Sequence, residues 1–188
     1  MTASPQSHHD YTFADYLALE RDSEIKHEFD AGEILAMSGG TSRHSALIAS
    51  VVTALRNTRS AGCIIFTSDM RVRILATGRA TYPDVSMVCG PLEYDPDDAD
   101  RTTITNPSLL VEVLSVTTEK GDRGNKWMHY QRIPSLQEYV LVSQEPRIEV
   151  YRRMPSGSWE YLEASEGILT LATGPTLDFS MLYDGLPL

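Results

Sequence analysis

Glu112 stands in Ser108-Leu-Leu-Val-Glu-Val-Leu-Ser115, an otherwise apolar run in which a lone ionised carboxylate would be costly to bury. Alternation along a strand puts Leu110, Glu112 and Leu114 on one face, so Glu112 needs a cation, a metal or a proton of its own there. Asp84 poses the same question within Tyr82-Pro83-Asp84-Val85-Ser86-Met87-Val88, with apolar residues on either side. Two carboxylates projecting from neighbouring strands can share a hard divalent cation, which prefers oxygen ligands and keeps several waters. The alternative is that Asp84 caps a turn and Glu112 pairs with a buried arginine; strand pattern alone does not separate the two. Lys126 shifts the balance. It lies in Asp122-Arg-Gly-Asn-Lys126-Trp-Met-His-Tyr130, so Asp122, Lys126 and Tyr130 share one helical face. Alone, Asp122 with Lys126 reads as a solvated surface pair of small energetic value. Beside two carboxylates and a metal, the ammonium could orient an attacking water or neutralise charge building on a phosphoryl oxygen.

Several elements must position these groups. Thr12 can cap a short helix through Phe13, Tyr16, Leu17 and Leu19. His27 to Met37 reads as two short strands turning at Ala31-Gly32. From Ser42 to Arg59, Leu47, Ile48, Val51, Val52 and Leu55 recur at helical spacing, with His44 at the N-terminal end on the side of that stripe. Strands follow at 64–66, 71–75 and 82–89, then an exposed acidic loop over 91–106, in which five acids crowd between Glu93 and Asp100. The run 108–115 has the pattern of a central strand covered on both faces. A helix over 122–132 stops at Pro134, and strands are expected at 138–143, 147–153, 159–162 and 168–171. The fold class is therefore mixed α/β or α+β, read as a short flexible N-terminus over 1–10 followed by one domain over 11–188.

The 188 residues suit one domain with a real core, and 41% hydrophobic with 22% charged residues is ordinary globular composition. A formal net charge of −10, from 16 basic against 26 acidic residues, argues against a protein that coats nucleic acid electrostatically. Local patches could answer that objection: Arg71, Arg73 and Arg79 flank the Asp84 strand, and Lys120, Arg123, Lys126 and Arg132 gather around the second motif. Each set is by default a solvated face. Cys63 and Cys89 lack paired metal-ligand spacing and read as buried thiols in a reducing compartment, with no disulfide framework. No stretch approaches the roughly 18 apolar residues of a membrane span, and no signal peptide opens the chain. A cytoplasmic protein without a membrane partner is the expectation.

Pro83-Asp84-Val85, Glu112-Val113-Leu114-Ser115, Asp122-Arg-Gly-Asn-Lys126 and Pro134-Ser-Leu-Gln-Glu-Tyr139, with Glu28-Phe-Asp-Ala-Gly32-Glu33 and His44, resemble the Uma-type restriction endonuclease family of the PD-(D/E)XK nuclease superfamily. The resemblance spans about Tyr11 to Tyr151 and implies a restriction-endonuclease-like core: a mixed central sheet flanked by helices, with a metal site on two adjacent strands. It implies that Asp84 and Glu112 hold Mg²⁺ or Mn²⁺ and that DNA is the substrate. The lysine position two residues after the acid is Leu114 here; the family's lysine is taken to have moved to the following helix, which corresponds to Lys126. Glu28 matches an N-terminal acidic position that could ligate or support the metal, with an exposed Glu beside a turn as the alternative. His44 matches a recurring histidine and is expected behind the ligands, as are Asp122 and Tyr130. Val116 departs from the proline that often follows the family's serine.

The first hypothesis is a metal-dependent endonuclease using Asp84, Glu112, Lys126 and Glu28. A second is a nucleic-acid or partner-binding module on the same fold that does not cleave. A third is a structural protein whose strand carboxylates merely pair with buried bases. No DNA-binding residues are identified, and a homodimer rests on analogy with the superfamily.

Overall fold

The structure is a computed structural model that describes residues 10–115 and 119–186; Val116 lies outside them. Helix α1 (Phe13–Asp22) starts at Thr12, whose hydroxyl accepts from the Asp15 amide while Asp15 reaches back to the Thr12 amide, a complete capping box. Strands β1 (His27–Asp30) and β2 (Glu33–Ala36) form the expected hairpin. Its turn needs left-handed backbone at both Ala31 (φ 48°) and Gly32 (φ 85°), where glycine is at ease and alanine is strained. Helix α2 (Ser42–Thr58) buries Leu47, Val51 and Leu55, as its stripe requires.

Strands β3 (Cys63–Thr67), β4 (Arg71–Ile74), β5 (Arg79–Thr81) and β6 (Val85–Cys89) follow. The strand expected over 82–89 begins only at Val85: β5 and β6 belong to different sheets, and Tyr82-Pro83-Asp84 carries the chain between them. Pro83 has no amide to donate to a ladder, which suits a crossing point. Strand β7 (Thr103–Ile104) pairs with β4 in parallel. The acidic segment before it is not simply exposed: Asp95 and Asp98 are buried, Asp95 against Arg73 and Asp98 against the Thr102 amide and hydroxyl.

Strand β8 (Leu109–Val113) is buried along its whole length. After it come one helical turn α3 (Glu119–Gly121), a π-helical turn (Asp122–Lys126) and α4 (Trp127–Tyr130). Strands β9 (Glu138–Val142), β10 (Ile148–Arg153), β11 (Trp159–Ala164), β12 (Ile168–Thr170) and β13 (Thr176–Asp178) precede α5 (Phe179–Leu182). The fold is mixed α+β, divided between a five-stranded sheet ordered β2-β1-β5-β4-β7 and a six-stranded sheet ordered β11-β10-β9-β8-β6-β3, with β12-β13 as a small third. One face of the six-stranded sheet, through Met87, Val111, Val140 and Val150, packs on α2 and α5. The other, through Leu110, Leu114 and Leu141, meets Val72 and Ile74 of the five-stranded sheet and Tyr130, Ile133 and Leu136. Glu112 shares the alternating face of Leu110 and Leu114.

The cysteines depart from expectation. Cys63 and Cys89 are register partners on β3 and β6 and form a disulfide, with Cys89 exposed at the end of β6 away from Asp84. Sequence spacing carried no hint of this, because antiparallel pairing brings together residues 26 apart in the chain. The cysteines therefore no longer argue for a reducing compartment. Closing a loop of that length should contribute about 2–4 kcal/mol. Reduction, or Cys63→Ala with Cys89→Ala, should lower the denaturant midpoint accordingly, and an unchanged midpoint would count against the bond. No helix among the described residues is long and apolar enough to cross a membrane.

Candidate active site

Asp84 sits one step beyond the last register pair of β6 with β8, Val85 with Val111, which places it opposite Glu112. Its Oδ2 accepts the Val113 amide at 2.7 Å and lies 3.3 Å from His44 Nε2. His44 comes from the first turn of α2. That turn is capped by Thr41, whose hydroxyl accepts from the His44 amide. The hydrogen bond to Asp84 raises the pKa of His44 above its ordinary value, against the opposing effect of burial. Gly40 makes room for the ring, because a Cβ there would come within 2.6 Å of His44 Nδ1.

Glu112 is buried, and Oε1 receives both Lys126 Nζ at 3.0 Å and the Tyr130 hydroxyl at 2.8 Å. Lys126 also lies 3.0 Å from Asp122 and 3.8 Å from Glu28. The face shared by Asp122, Lys126 and Tyr130 is thus aimed inward. The π-helical turn keeps Asp122 beside Lys126, and wide turns of this kind recur at functional sites. Trp127, stacked on Tyr151 with ring centres 4.2 Å apart, holds the segment against the sheet. Burial pushes the Glu112 carboxyl up to about 8; Lys126 opposes the shift, and the Asp84 and Asp122 charges add to it. Burial disfavours the Lys126 charge, but Glu112, Asp122 and Glu28 outweigh it and hold the ammonium well above its usual range.

Glu28 reaches the same place from β1. It accepts from Thr81 and pairs with Arg79 at 2.9 Å. The structure therefore brings Glu28, His44, Asp84, Glu112, Asp122, Lys126 and Tyr130 into one neighbourhood. A cavity of about 290 Å³ opens beside it, against Glu28, Asp122 and Lys126 but not against Asp84 or Glu112. Among the described residues no three His, Cys, Asp or Glu side chains form a ready-made metal cage. Sequence reasoning missed Arg79, Thr81 and Asn125 as supports. Arg79 is buried and bonds Glu28, Asp30 and Asn125, and its local sequence carries no sign of partners 49 and 51 residues away.

The basic patches need correction. Arg71 bonds Tyr82 and Thr103, Arg73 pairs with Asp95 and Asp97, and Arg79 is committed as above, so this set is internal rather than a solvated face. In the second set, Arg123 pairs with Glu119 and Glu149 and Lys126 with Glu112, while Lys120 and Arg132 are exposed.

The mixed sheets and their flanking helices form a nuclease-like fold. A solved structure from Anabaena variabilis, titled as a "putative nuclease belonging to DUF820", superposes with a TM-score of 0.71 over 93% of this chain and 98% of that one, at 17% identity. The Uma2 family, whose description reads "Putative restriction endonuclease", matches residues 13–182. The chain belongs to the Uma2 family. Two relatives in Synechocystis sp. are the uncharacterized proteins slr1290, 38% identical over 92% of this chain and 90% of its own length, and sll1609, 34% identical over 79% and 84%.

Proposed function

We propose that the chain is a metal-dependent endonuclease that hydrolyses DNA phosphodiester bonds, with Mg²⁺ or Mn²⁺ held by Asp84 and Glu112. The observation that carries this reading is a buried carboxylate, Glu112, facing a second carboxylate across adjoining strands, with one ammonium shared among three acids. Membership of the Uma2 family supports a nuclease of the restriction-endonuclease-like kind. The donor set fits the cation: two carboxylates on adjoining strands, with Glu28 and Asp122 turned to Lys126, suit a hard ion that keeps most of its waters. When bound there, such an ion supplies an activated water and polarises a phosphoryl oxygen.

The protein's own groups have distinct tasks in this reading. The Val113 amide holds one oxygen of Asp84 in place. Lys126 is placed to orient the attacking water or to meet charge building on the phosphate. Glu28, held by Arg79 and Thr81, supports the ammonium rather than acting as a free ligand. His44 braces Asp84. One observation favours the non-cleaving alternative: the arginines around Asp84 are spent on internal partners, which leaves few cations for phosphate.

The test is calorimetric titration with Mn²⁺ and Mg²⁺, followed by cleavage assays on single-stranded and duplex DNA. Asp84→Asn keeps an acceptor for the Val113 amide, so it should fold normally while metal affinity and cleavage fall more than about 100-fold, beyond the loss usual for a mere supporting group. Cleavage by Asp84→Asn at the wild-type rate would sink the assignment.

A further inference from the structure

Tyr130 is fully buried, its ring edge-on to Tyr139 at 5.1 Å, within an apolar cluster that includes Leu110, Ile133 and Leu136. A phenylalanine would fill that space without a polar atom to satisfy. The hydroxyl donates at 2.8 Å to Oε1 of Glu112, the same oxygen that Lys126 takes at 3.0 Å; among the described residues no donor takes Oε2. The two donors differ in kind. Lys126 ends a flexible stem and is divided among Glu112, Asp122 and Glu28. Tyr130 is packed on a short helix and has a single proton to donate, which goes to Glu112.

We propose that Tyr130 is a positioning residue that fixes the orientation of the Glu112 carboxylate, committing Oε1 to the protein and leaving Oε2 for the cation. This rests on the metal-dependent reading above. A hydrogen bond to an ionised acceptor is among the stronger kinds, and groups behind a metal ligand typically govern affinity by fixing that ligand's orientation. The arrangement also divides labour. Lys126 can turn toward a phosphoryl oxygen without releasing Glu112, because Tyr130 keeps hold of Oε1.

The experiment uses the full chain, with Mn²⁺ as the probe, read by calorimetry and by the electron paramagnetic resonance spectrum of bound Mn²⁺. Tyr130→Phe should bind Mn²⁺ about 10–100-fold more weakly with an altered spectrum. Tyr16→Phe, which removes an equally buried hydroxyl bonded to the His27 carbonyl, should bind as wild type does. Mn²⁺ binding by folded Tyr130→Phe that matches wild type, while Glu112→Gln loses it, would overturn the positioning role and leave the metal site standing. Absence of binding by wild type itself would overturn both. If Tyr130→Phe does not fold, wild type labelled with ¹³C at tyrosine Cζ provides the reading. The resonance that Glu112→Gln displaces should move on adding Mg²⁺, and a resonance unmoved at saturation would overturn the role.

Discussion

Lys126→Met should lower the free energy of unfolding by about 3–5 kcal/mol above about pH 8, where Glu112 is ionised, the usual cost of removing one partner from a buried ion pair. The ammonium lies 3.0 Å from both Glu112 and Asp122, and both acids are buried, so its loss strands negative charge in the core. Most of that loss should return in Lys126→Met with Glu112→Gln, because the second change removes one stranded charge while Gln can still accept from Tyr130. A double-mutant cycle read by urea unfolding measures this coupling. Simple additivity of the two changes would mean that the ion pair contributes little. The same geometry makes Lys126→Ala a stability variant as well as a test of catalysis. Asp84→Asn is the cleaner probe.

In the presence of a chelator, the chain should become less stable as pH rises from about 5 to about 8. Glu112 binds its proton more tightly when folded, near 8, than at its ordinary value of 4.5. The folded state therefore carries more protons than the unfolded state across that interval, and stability falls with rising pH. The contribution is fully present below the ordinary carboxylate range and is lost as pH passes the folded value. Its upper bound is on the order of 5 kcal/mol. His44, raised by Asp84, acts in the same direction over its own range. Glu112→Gln should flatten most of the slope and be more stable than wild type at pH 8. In the proposed function, Mn²⁺ should stabilise wild type more at pH 8 than at pH 5.5, because the cation replaces the proton. Stability that rises from pH 5 to 8 in wild type would refute the assignment of a proton to Glu112.

Much of the framework is legible locally. The Leu47, Val51, Leu55 stripe makes α2, and Thr12 caps α1, because helix periodicity and capping depend on residues within a few positions of one another. The nearly continuous apolar run makes β8 a central strand, and alternation aims Glu112 at the Tyr130 side of the sheet. That a buried Glu112 needs compensation follows from electrostatics alone; that Lys126 and Tyr130 provide it depends on packing. A strand expected to start at Tyr82 starts at Val85, since nothing local distinguishes a chain already in its sheet from one still crossing between sheets at Pro83. The short β13 and α5 have too few residues to show a period.

Most element types, the buried acid and the face shared by Asp122, Lys126 and Tyr130 are set by the sequence alone, because each follows from side-chain chemistry repeated at a short, fixed spacing. Only the tertiary structure decided which oxygen of Glu112 is held and by whom, that Glu28 answers to Arg79 and Thr81, that the arginines near Asp84 are internal, and that Cys63 meets Cys89. Those outcomes depend on strand order and register between segments far apart in the chain, where a shift of one residue sends a side chain to the opposite face.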